Sequence, residues 1–231
     1  MILRPFEKLP RKLRTEEVKK YYDILDQKRF SLVLKRCFDV FVSVILIILL
    51  LIPMAVISVI IKCTSPGPVF FRQKRITQYG RTFKIMKFRT MTENADKEGA
   101  LITSQNDARV TKIGSVLRRF RLDELPQVFH VLSGNMSFVG TRPEVKKYVD
   151  RYTPEMYATL LMPAGITSLA SIKFKDENEL IGDVSDPDEI DRIYVETILP
   201  QKMEYNLEYI SRFGFRRDIY LMLSTVKHMI F

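Results

Sequence analysis

Asp123 and Glu124 are adjacent carboxylates in a strongly basic stretch of this chain, and their types and spacing suit phosphate chemistry. Three arginines lie in the six residues before them, and Pro126 follows at a position that is common in the first turn of a helix. A helix start and nearby arginines both lower the pKa of a carboxylate, so we predict that both groups are ionised at neutral pH. An ionised carboxylate can act as a nucleophile or as a magnesium ligand. The simpler alternative is that the two acids only cap a helix.

Basic residues on either side of this pair could bind phosphate. In the run KIMKFR at 84–89, basic and apolar residues alternate, which predicts that the basic side chains share one face of a strand. Such a row can bind phosphates, lie on anionic lipid or face water. Thr141 and Glu144 have the spacing of a helix capping box. That box would place Arg142 in a first helical turn, where its guanidinium and free backbone N–H groups can grip a phosphate.

Two further groups of polar residues are interpreted as structural. His130 lies on an otherwise apolar helix face, which favours a core histidine with satisfied hydrogen bonds. The chain has only two histidines, which argues against a multi-histidine metal site. Residues 176–196 contain nine acids and one base, but they lack the spacing of a calcium loop. We predict a solvated loop there.

An uncharged run of 22 residues from Val40 to Ile61 predicts a membrane segment. It is long enough to cross a hydrocarbon core of about 30 Å as a helix. Pro53 lies within it and removes one backbone hydrogen bond. Basic residues flank both ends, four between positions 28 and 36 and seven between Arg72 and Arg89. Because the positive-inside rule favours both flanks in the cytoplasm, we predict a re-entrant helix that is broken at Pro53. A single-pass anchor with one basic flank outside is the alternative.

The rest of the pattern predicts an α+β fold that is mostly helical. We divide the chain into an amino-terminal arm or interfacial helix at 1–30, a re-entrant membrane helix at 31–64 and a small catalytic domain at 65–231. Short strands are predicted at 69–72 and 83–89, with a turn around Tyr79 and Gly80 between them. A short apolar run follows at 136–139, and amphipathic interfacial helices are predicted in the last thirty residues.

Because of the formal net charge of +10, an anionic partner has to be considered, namely nucleic acid, a phospholipid surface or a phosphorylated substrate. We expect no nucleic-acid partner, since the chain has no recognised nucleic-acid motif and carries a membrane segment. Two cysteines, one near each end of the apolar run, do not make the disulfide framework of a small secreted fold.

Four motifs occur together and in a fixed order along the chain. They are SPGPVFFRQ at 65–73, KFRTM at 87–91, LRRFRLDELPQVFHVLSGNMSFVGTRP at 117–143 and PAGIT at 163–167. With them the chain resembles the bacterial sugar transferases, in particular the short, monotopic polyprenyl-phosphate phosphoglycosyl transferases. The resemblance covers roughly Lys35 to Val226.

The resemblance implies transfer of a phosphosugar from a UDP-sugar to polyprenyl (undecaprenyl) phosphate, with release of UMP, as the first membrane step of a bacterial surface glycan pathway. It places the nucleophile at Asp123, with a covalent phosphosugar–aspartate intermediate. It assigns Glu124 to positioning Mg²⁺ or the acceptor, so both carboxylates are expected metal ligands. Phosphate contacts are expected from four basic residues, namely Arg118, Arg142, Lys87 and Arg89.

The resemblance also implies a location on the bacterial inner (cytoplasmic) membrane, with the catalytic domain on the cytoplasmic face and in contact with the phospholipid bilayer. A homodimer and other glycan-assembly enzymes are further partners that it allows. The alternative function is a non-catalytic membrane-surface scaffold that docks anionic lipid through its basic rows. A scaffold explains the charge and the anchor, but it does not explain an Asp-Glu pair set among arginines.

Overall fold

A computed structural model describes residues 3–93, 95, 108–174, 180, 184 and 186–230 of the chain. The fold is α+β with helices predominating, as predicted. The α-helices are α1 (Glu16–Asp26), α2 (Arg29–Thr64), α3 (Lys112–Arg119), α4 (Val128–Leu132), α5 (Lys146–Val149), α6 (Leu169–Lys173), α7 (Pro187–Ile193), α8 (Leu199–Ser211) and α9 (Phe215–Ile230). The strands are β1 (Phe70–Ile76), β2 (Thr82–Phe88), β3 (Met136–Val139) and β4 (Ala164–Thr167).

Short 3-10 and π turns connect these elements. The 3-10 turns are Phe6–Lys8, Arg11–Leu13, Gln78–Gly80, Leu122–Gln127 and Met156–Leu161, and Tyr194–Ile198 is a π-helical turn. We call Leu122–Gln127 the dyad turn, because it carries Asp123 and Glu124. Helices α8 and α9 form the predicted helix pair at the end of the chain.

Strands β1 and β2 form an antiparallel hairpin, which confirms two predicted strands and the turn between them. Tyr79 and Gly80 reverse the chain in left-handed conformations, with φ of 59° and 75°. Along β2, Lys84 is exposed while Lys87 is half-buried. The prediction that the basic side chains of 84–89 share one face is therefore wrong. Residues three apart on a strand point to opposite faces.

Strands β3 and β4 run parallel, and their pairing ends at Val139 and Thr167. The N–H of Gly165 donates to the carbonyl of Thr141 at 2.9 Å. A side chain on Gly165 would place its Cβ 2.2 Å from the backbone nitrogen of Gly140, so the two chains approach closely only because glycine has no side chain.

The capping box predicted at Thr141 and Glu144 is wrong, because helix α5 does not begin until Lys146. The carboxylate of Glu144 instead accepts a hydrogen bond from the Tyr194 hydroxyl at 2.7 Å. Pro143 disfavours the helical conformation at the residue before it. Arg142 therefore lies on the non-helical segment that follows β3, not in a first helical turn.

The amino-terminal arm packs on the domain as part of its largest hydrophobic cluster. Leu13, Val18 and Leu25 are buried there, and the Tyr21 hydroxyl donates to Glu155 at 2.8 Å. The prediction of a loosely ordered arm is wrong, while the position of α1 relative to the membrane interface stays a prediction. The apolar face of α1 is buried against the segment 152–161 and α8.

Helix α2 is continuous through Pro53, so the predicted break in the helix is wrong. A proline removes only one intrahelical hydrogen bond, and the bonds on either side can hold the helix together. Ten large apolar side chains of the uncharged run are exposed: Phe41, Val44, Ile45, Ile48, Leu49, Leu51, Ile52, Val56, Val59 and Ile60. By length and composition α2 could cross a membrane.

Part of the acidic stretch at 176–196 is helical, which corrects the prediction of a loop for residues 187–196. Helix α7 begins after Asp186, whose carboxylate accepts a hydrogen bond from the backbone N–H of Asp188. The acids of this stretch at 176, 177, 179 and 183 lie outside the described residues.

Candidate active site

The dyad turn brings Asp123 and Glu124 into the domain just after Arg121, which has a left-handed backbone with φ of 55°. Both side chains lie in its first turn, as predicted, although the turn is 3-10 and α4 follows it. Asp123 is 7% exposed and Glu124 is 8% exposed. Two neighbouring carboxylates are thus almost fully removed from water, which is costly unless cations or hydrogen bonds compensate.

Glu124 receives that compensation from two cations. Its Oε1 lies 2.7 Å from Nζ of Lys87 and 2.5 Å from Nη2 of Arg142, and Nη1 of Arg142 donates to Oε2 at 3.4 Å. Burial alone would raise the pKa of Glu124, but Arg142 and Lys87 outweigh it and hold the pKa well below its usual range. Burial and Arg142 lower the pKa of Lys87, against the effect of Glu124. Glu124 therefore holds Lys87 and Arg142 together as an ionised carboxylate.

The carboxylate of Asp123, in contrast to that of Glu124, has no direct contact with a cation among the described residues. Among the described residues, no hydrogen bond or ion pair engages its carboxylate. Burial raises its pKa, Glu124 adds to the rise, and Lys87, Arg118 and Arg142 oppose it without cancelling it. The prediction that the pKa of both carboxylates is lowered is wrong for Asp123, because loss of water outweighs the cations. A desolvated carboxylate with no partner is well suited to attack an electrophile.

The structure brings three of the four predicted phosphate-binding residues to the dyad. Lys87 and Arg142 contact Glu124 directly. Arg118 lies near enough to Asp123 to oppose the rise of its pKa, and its Nε donates to Oγ1 of Thr90 at 2.8 Å. The orienting role of Thr90 has no signal in the sequence, since nothing in the spacing pairs a threonine at 90 with an arginine at 118.

Arg89 has its described hydrogen bonds elsewhere. Its guanidinium donates to the carbonyls of Ser65 and Pro66 at 2.8 and 2.5 Å. These bonds anchor the loop that follows α2, and the side chain is buried there. The strand ends at Phe88, so the alternation that would have kept Arg89 beside Lys87 no longer applies. The structure supports a structural role for Arg89.

His130 has a structural role, as predicted, but it is half-buried and does not lie in the core. Its Nε2 accepts a hydrogen bond from the backbone N–H of Met86 at 3.0 Å, and its ring packs edge-on against Phe83. Burial and the neighbouring Arg72 lower its pKa. His130 thus attaches α4 to β2 as a neutral, satisfied side chain.

The carboxylates of the dyad fit a magnesium ion that arrives with a diphosphate. Mg²⁺ typically binds one or two carboxylates together with substrate phosphates and water. Asp123 offers an unengaged carboxylate among the described residues, and Oε2 of Glu124 has only the 3.4 Å contact with Arg142. The described part of the chain has no cluster of three or more acidic, histidine or cysteine side chains that could hold a metal alone. These carboxylates therefore suit a Mg²⁺ ion whose remaining ligands come from the substrate phosphates and water.

Comparisons with known proteins agree with this arrangement. Residues 30–231 match the family model described as "Bacterial sugar transferase". The chain is 36% identical over 201 residues to a UDP-N-acetylgalactosamine-undecaprenyl-phosphate N-acetylgalactosaminephosphotransferase of Aeromonas hydrophila, covering 85% of this chain and 44% of that protein. It is 35% identical over 199 residues to a UDP-glucose:undecaprenyl-phosphate glucose-1-phosphate transferase of Klebsiella pneumoniae, covering 85% and 40%.

A third relative is a putative undecaprenyl-phosphate N-acetylgalactosaminyl 1-phosphate transferase of Bacillus subtilis. It is 40% identical over 125 residues, which cover 54% of this chain and 70% of that protein. The chain spans less than half the length of the Aeromonas and Klebsiella relatives. Asp123, Glu124 and all four basic residues predicted to bind phosphate lie inside the region that the family model matches.

Proposed function

Because the chain belongs to the bacterial sugar transferase family, we propose that it transfers a phosphosugar from a UDP-sugar to polyprenyl phosphate and releases UMP. The names of the Aeromonas and Klebsiella relatives support the undecaprenyl-phosphate acceptor and the nucleotide-sugar donor. The product is a polyprenyl diphosphosugar, which would open the assembly of a bacterial surface glycan.

One observation carries this proposal at the level of the site. Asp123 is buried beside three cations, and its carboxylate has no partner among the described residues. A residue that only caps a helix would accept a backbone hydrogen bond, and a purely structural acid would be paired. A buried carboxylate left without a partner costs folding free energy, which is reasonable where the group is needed for chemistry.

The reaction proceeds in two displacements. An oxygen of Asp123 attacks the sugar-side phosphorus of the UDP-sugar, the bond from that phosphorus to the bridging oxygen breaks, and UMP leaves with the electron pair. An oxygen of polyprenyl phosphate then attacks the phosphorus of the phosphosugar–aspartate. The bond to Asp123 breaks, and the carboxylate is restored.

Cations around the dyad stabilise the negative charge that moves during these steps. Arg142 and Lys87 are held by Glu124, and Arg118 is held by Thr90, so their donors are already oriented when substrate arrives. Bound Mg²⁺ would neutralise part of the charge of the diphosphate that otherwise repels a carboxylate nucleophile. The carboxylate of Asp123 and Oε2 of Glu124 are the groups that would hold the Mg²⁺ ion.

We further propose that α2 is re-entrant, bending at Pro53 without a break in the helix, and that both of its ends lie on the cytoplasmic face. At its beginning, Lys35 and Asp39 are buried against the domain, and further along Met54 and Ile61 are buried in a cluster with Phe88 and other residues of the same domain. A straight helix separates residues 39 and 61 by about 33 Å, roughly the thickness of the hydrocarbon core. One domain on one side of the bilayer is difficult to reconcile with contacts at both levels of a spanning helix.

The two cysteines of the chain allow a direct test of this topology. Cys37 and Cys63 are exposed near opposite ends of the apolar run. Cys37→Ser leaves only Cys63 as a thiol, and Cys63→Ser leaves only Cys37. A membrane-impermeant maleimide should label both single-thiol variants in inverted membrane vesicles and neither variant in intact spheroplasts. Labelling of either thiol from the periplasmic side would overturn the re-entrant topology.

The reaction itself is tested by incubating the purified protein with a panel of UDP-sugars without polyprenyl phosphate. We expect UMP in an amount no greater than that of the enzyme, together with one phosphosugar mass on the peptide that contains Asp123. Adding polyprenyl phosphate should then produce continuous turnover. UMP that forms only with the acceptor present, with no trapped adduct, would replace the two displacements by one. No UMP with any donor would leave the lipid-docking scaffold as the better description.

A further inference from the structure

We propose that Lys35, Arg36 and Asp39 are positioning residues, which hold the two halves of the active site in register from the first turns of the membrane helix. One half is the dyad turn with α4, and the other is β3 with the segment that leads to Arg142. The inference rests on the proposed function and assigns to α2 a role in catalysis beyond anchoring. We call these three residues the clamp.

Arg36 holds the dyad half. Its Nη1 donates to the carbonyl of Val131 at 2.7 Å, and its Nη2 donates to the carbonyl of Leu132 at 2.8 Å. These are the last two residues of α4, which continues directly from the dyad turn. The final carbonyls of a helix have no partner within it, and a cation is favourable at that end. Arg36 therefore fixes the far end of the element that carries Asp123 and Glu124.

Lys35 and Asp39 hold the arginine half. Nζ of Lys35 donates to the carbonyl of Val139 at 2.8 Å, and the carboxylate of Asp39 accepts from the N–H of Phe138 at 3.3 Å. Phe138 and Val139 end β3, three to four residues before Arg142. The clamp thus binds one backbone donor of β3, the N–H of Phe138, and one backbone acceptor, the carbonyl of Val139. This strand leads to Arg142.

A buried ion pair keeps Lys35 in place. Its Nζ lies 2.6 Å from a carboxylate oxygen of Asp218 on α9, and the Tyr209 hydroxyl donates to the other oxygen at 2.8 Å. Lys35 is 2% exposed and Asp39 is 4% exposed. A cation that served only to keep one flank of the membrane segment in the cytoplasm would be solvated, as Arg29 is, with 62% of its side chain exposed. The burial of Lys35 indicates a role inside the domain.

The two halves meet at the ion pair between Glu124 and Arg142. Residues 35–39 rise about 6 Å along the helix, so a single turn grips both sides of that pair. An error of about 1 Å in the placement of a catalytic group can cost about 10²-fold in rate. The position of the first turns of α2 therefore sets how Arg142 and the dyad face one another.

Double-mutant cycles test the clamp through activity. Arg36→Met and Asp39→Asn are each measured alone and together with Arg142→Ala, and Arg29→Met serves as the matched control because Arg29 has its described hydrogen bonds only to Asp26. We expect each clamp variant to lower kcat/KM for adduct formation about 10- to 100-fold. In the Arg142→Ala background the same change should cost less than about threefold, since the contact between Glu124 and Arg142 whose geometry the clamp sets is gone. Equal losses in both backgrounds would overturn the proposal.

Hydrogen exchange tests the clamp independently of activity. In full-length protein in nanodiscs, Arg36→Met should speed exchange at 129–132, and Asp39→Asn should speed it at 136–141. Helix α1 should be unchanged in both variants. Arg36→Lys, which keeps the charge and can reach one carbonyl, should restore part of the protection and part of the rate. Unchanged exchange in these segments would refute the clamp even where activity falls. A wild-type protein that makes no UMP would refute the proposed function and leave the exchange test standing.

Discussion

The two carboxylates of the dyad are neighbours in the chain and lie in different surroundings. Around Glu124, Lys87 and Arg142 form a compact ion-pair cluster that keeps the glutamate ionised. Around Asp123 the described residues supply no partner, and burial raises its pKa. Charge that could have stabilised both acids is concentrated on one of them.

This difference separates two tasks that one carboxylate could not perform equally well. A nucleophile must have an oxygen that no cation has already engaged, whereas the cations that bind phosphate must be held in place before substrate arrives. Glu124 holds the cations, and Asp123 is left to react. The predictions below test this division of roles, beginning with the largest expected effect.

Asp123→Asn should abolish adduct formation and turnover, because an amide keeps the shape of the side chain but has no nucleophilic oxygen. Asp123→Glu should also fail, since the extra methylene moves the attacking oxygen by about 1 Å or more. Activity is measured as UMP release. Turnover at the wild-type rate in either variant would show that Asp123 does not take part in the reaction.

The same Asp123→Asn variant should be at least as stable as the wild type at pH 7. The folded-state pKa of Asp123 is raised, so its ionised form costs stability above that pKa and the cost is absent below the ordinary aspartate pKa near 3.8. The melting-temperature advantage of the variant should therefore shrink as pH falls towards 4. Thermal unfolding in detergent across pH 4–8 measures it, and a variant less stable at pH 7 would show that Asp123 is paired in the fold.

Glu124→Gln should lower both activity and stability. Without the carboxylate charge, Lys87 and Arg142 lie close together and are no longer neutralised. Removing one member of a buried ion pair costs about 3–5 kcal/mol, and we expect the lower end because the Arg142 side chain is about one-third exposed. We thus expect Glu124→Gln to lose stability and Asp123→Asn to keep or gain it, although both changes replace a carboxylate by an amide of the same shape. Similar stability changes in both would contradict the division of roles.

Arg142→Ala should reduce kcat/KM about 10²- to 10³-fold, comparable with loss of one preorganised donor to a developing negative charge. Arg142→Lys keeps the charge but not the two-pronged contact with Glu124, so it should recover only part of the rate. Steady-state kinetics of UMP release distinguish these outcomes. Full recovery by lysine would mean that only the charge matters.

Lys87→Met should reduce activity by about tenfold, because Arg142 still pairs with Glu124 after Lys87 is lost. Lys84→Met is the matched control on the opposite face of the same strand. Lys84 is exposed and lies directly across from Lys74, so its removal should leave activity unchanged and raise stability by a few tenths of a kcal/mol at most. A larger effect at Lys84 than at Lys87 would contradict the placement of Lys87 at the dyad.

Local features were predictable from the sequence because they depend on neighbours in the chain. The apolar run predicted a helix long enough for a membrane, two β-type runs and Gly80 predicted two strands with a turn between them, and Pro126 placed the Asp-Glu pair in a first turn. His130 was correctly interpreted as a structural residue, although it is half-buried and not part of the core. The motifs also identified the family, which the match over residues 30–231 bears out.

Features that depend on distant contacts were decided only by the tertiary structure. Thr141 and Glu144 have the spacing of a capping box, yet their hydrogen bonds go to Gly165 and Tyr194. Arg89 carries the same charge as Lys87 but anchors the loop after α2. The polar amino-terminal arm was not expected to be packed, because its apolar positions find partners only in the segment 152–161 and α8.

The electrostatic asymmetry of the dyad could not come from the sequence at all. Adjacent acids near the same arginines receive equal treatment in any argument based on spacing. Their pKa values diverge because folding points Lys87 and Arg142 at Glu124 and removes water from both carboxylates. The chain determines which groups are present near the turn, and the packing of β2 and of the segment after β3 against that turn decides which acid is neutralised and which is left to react.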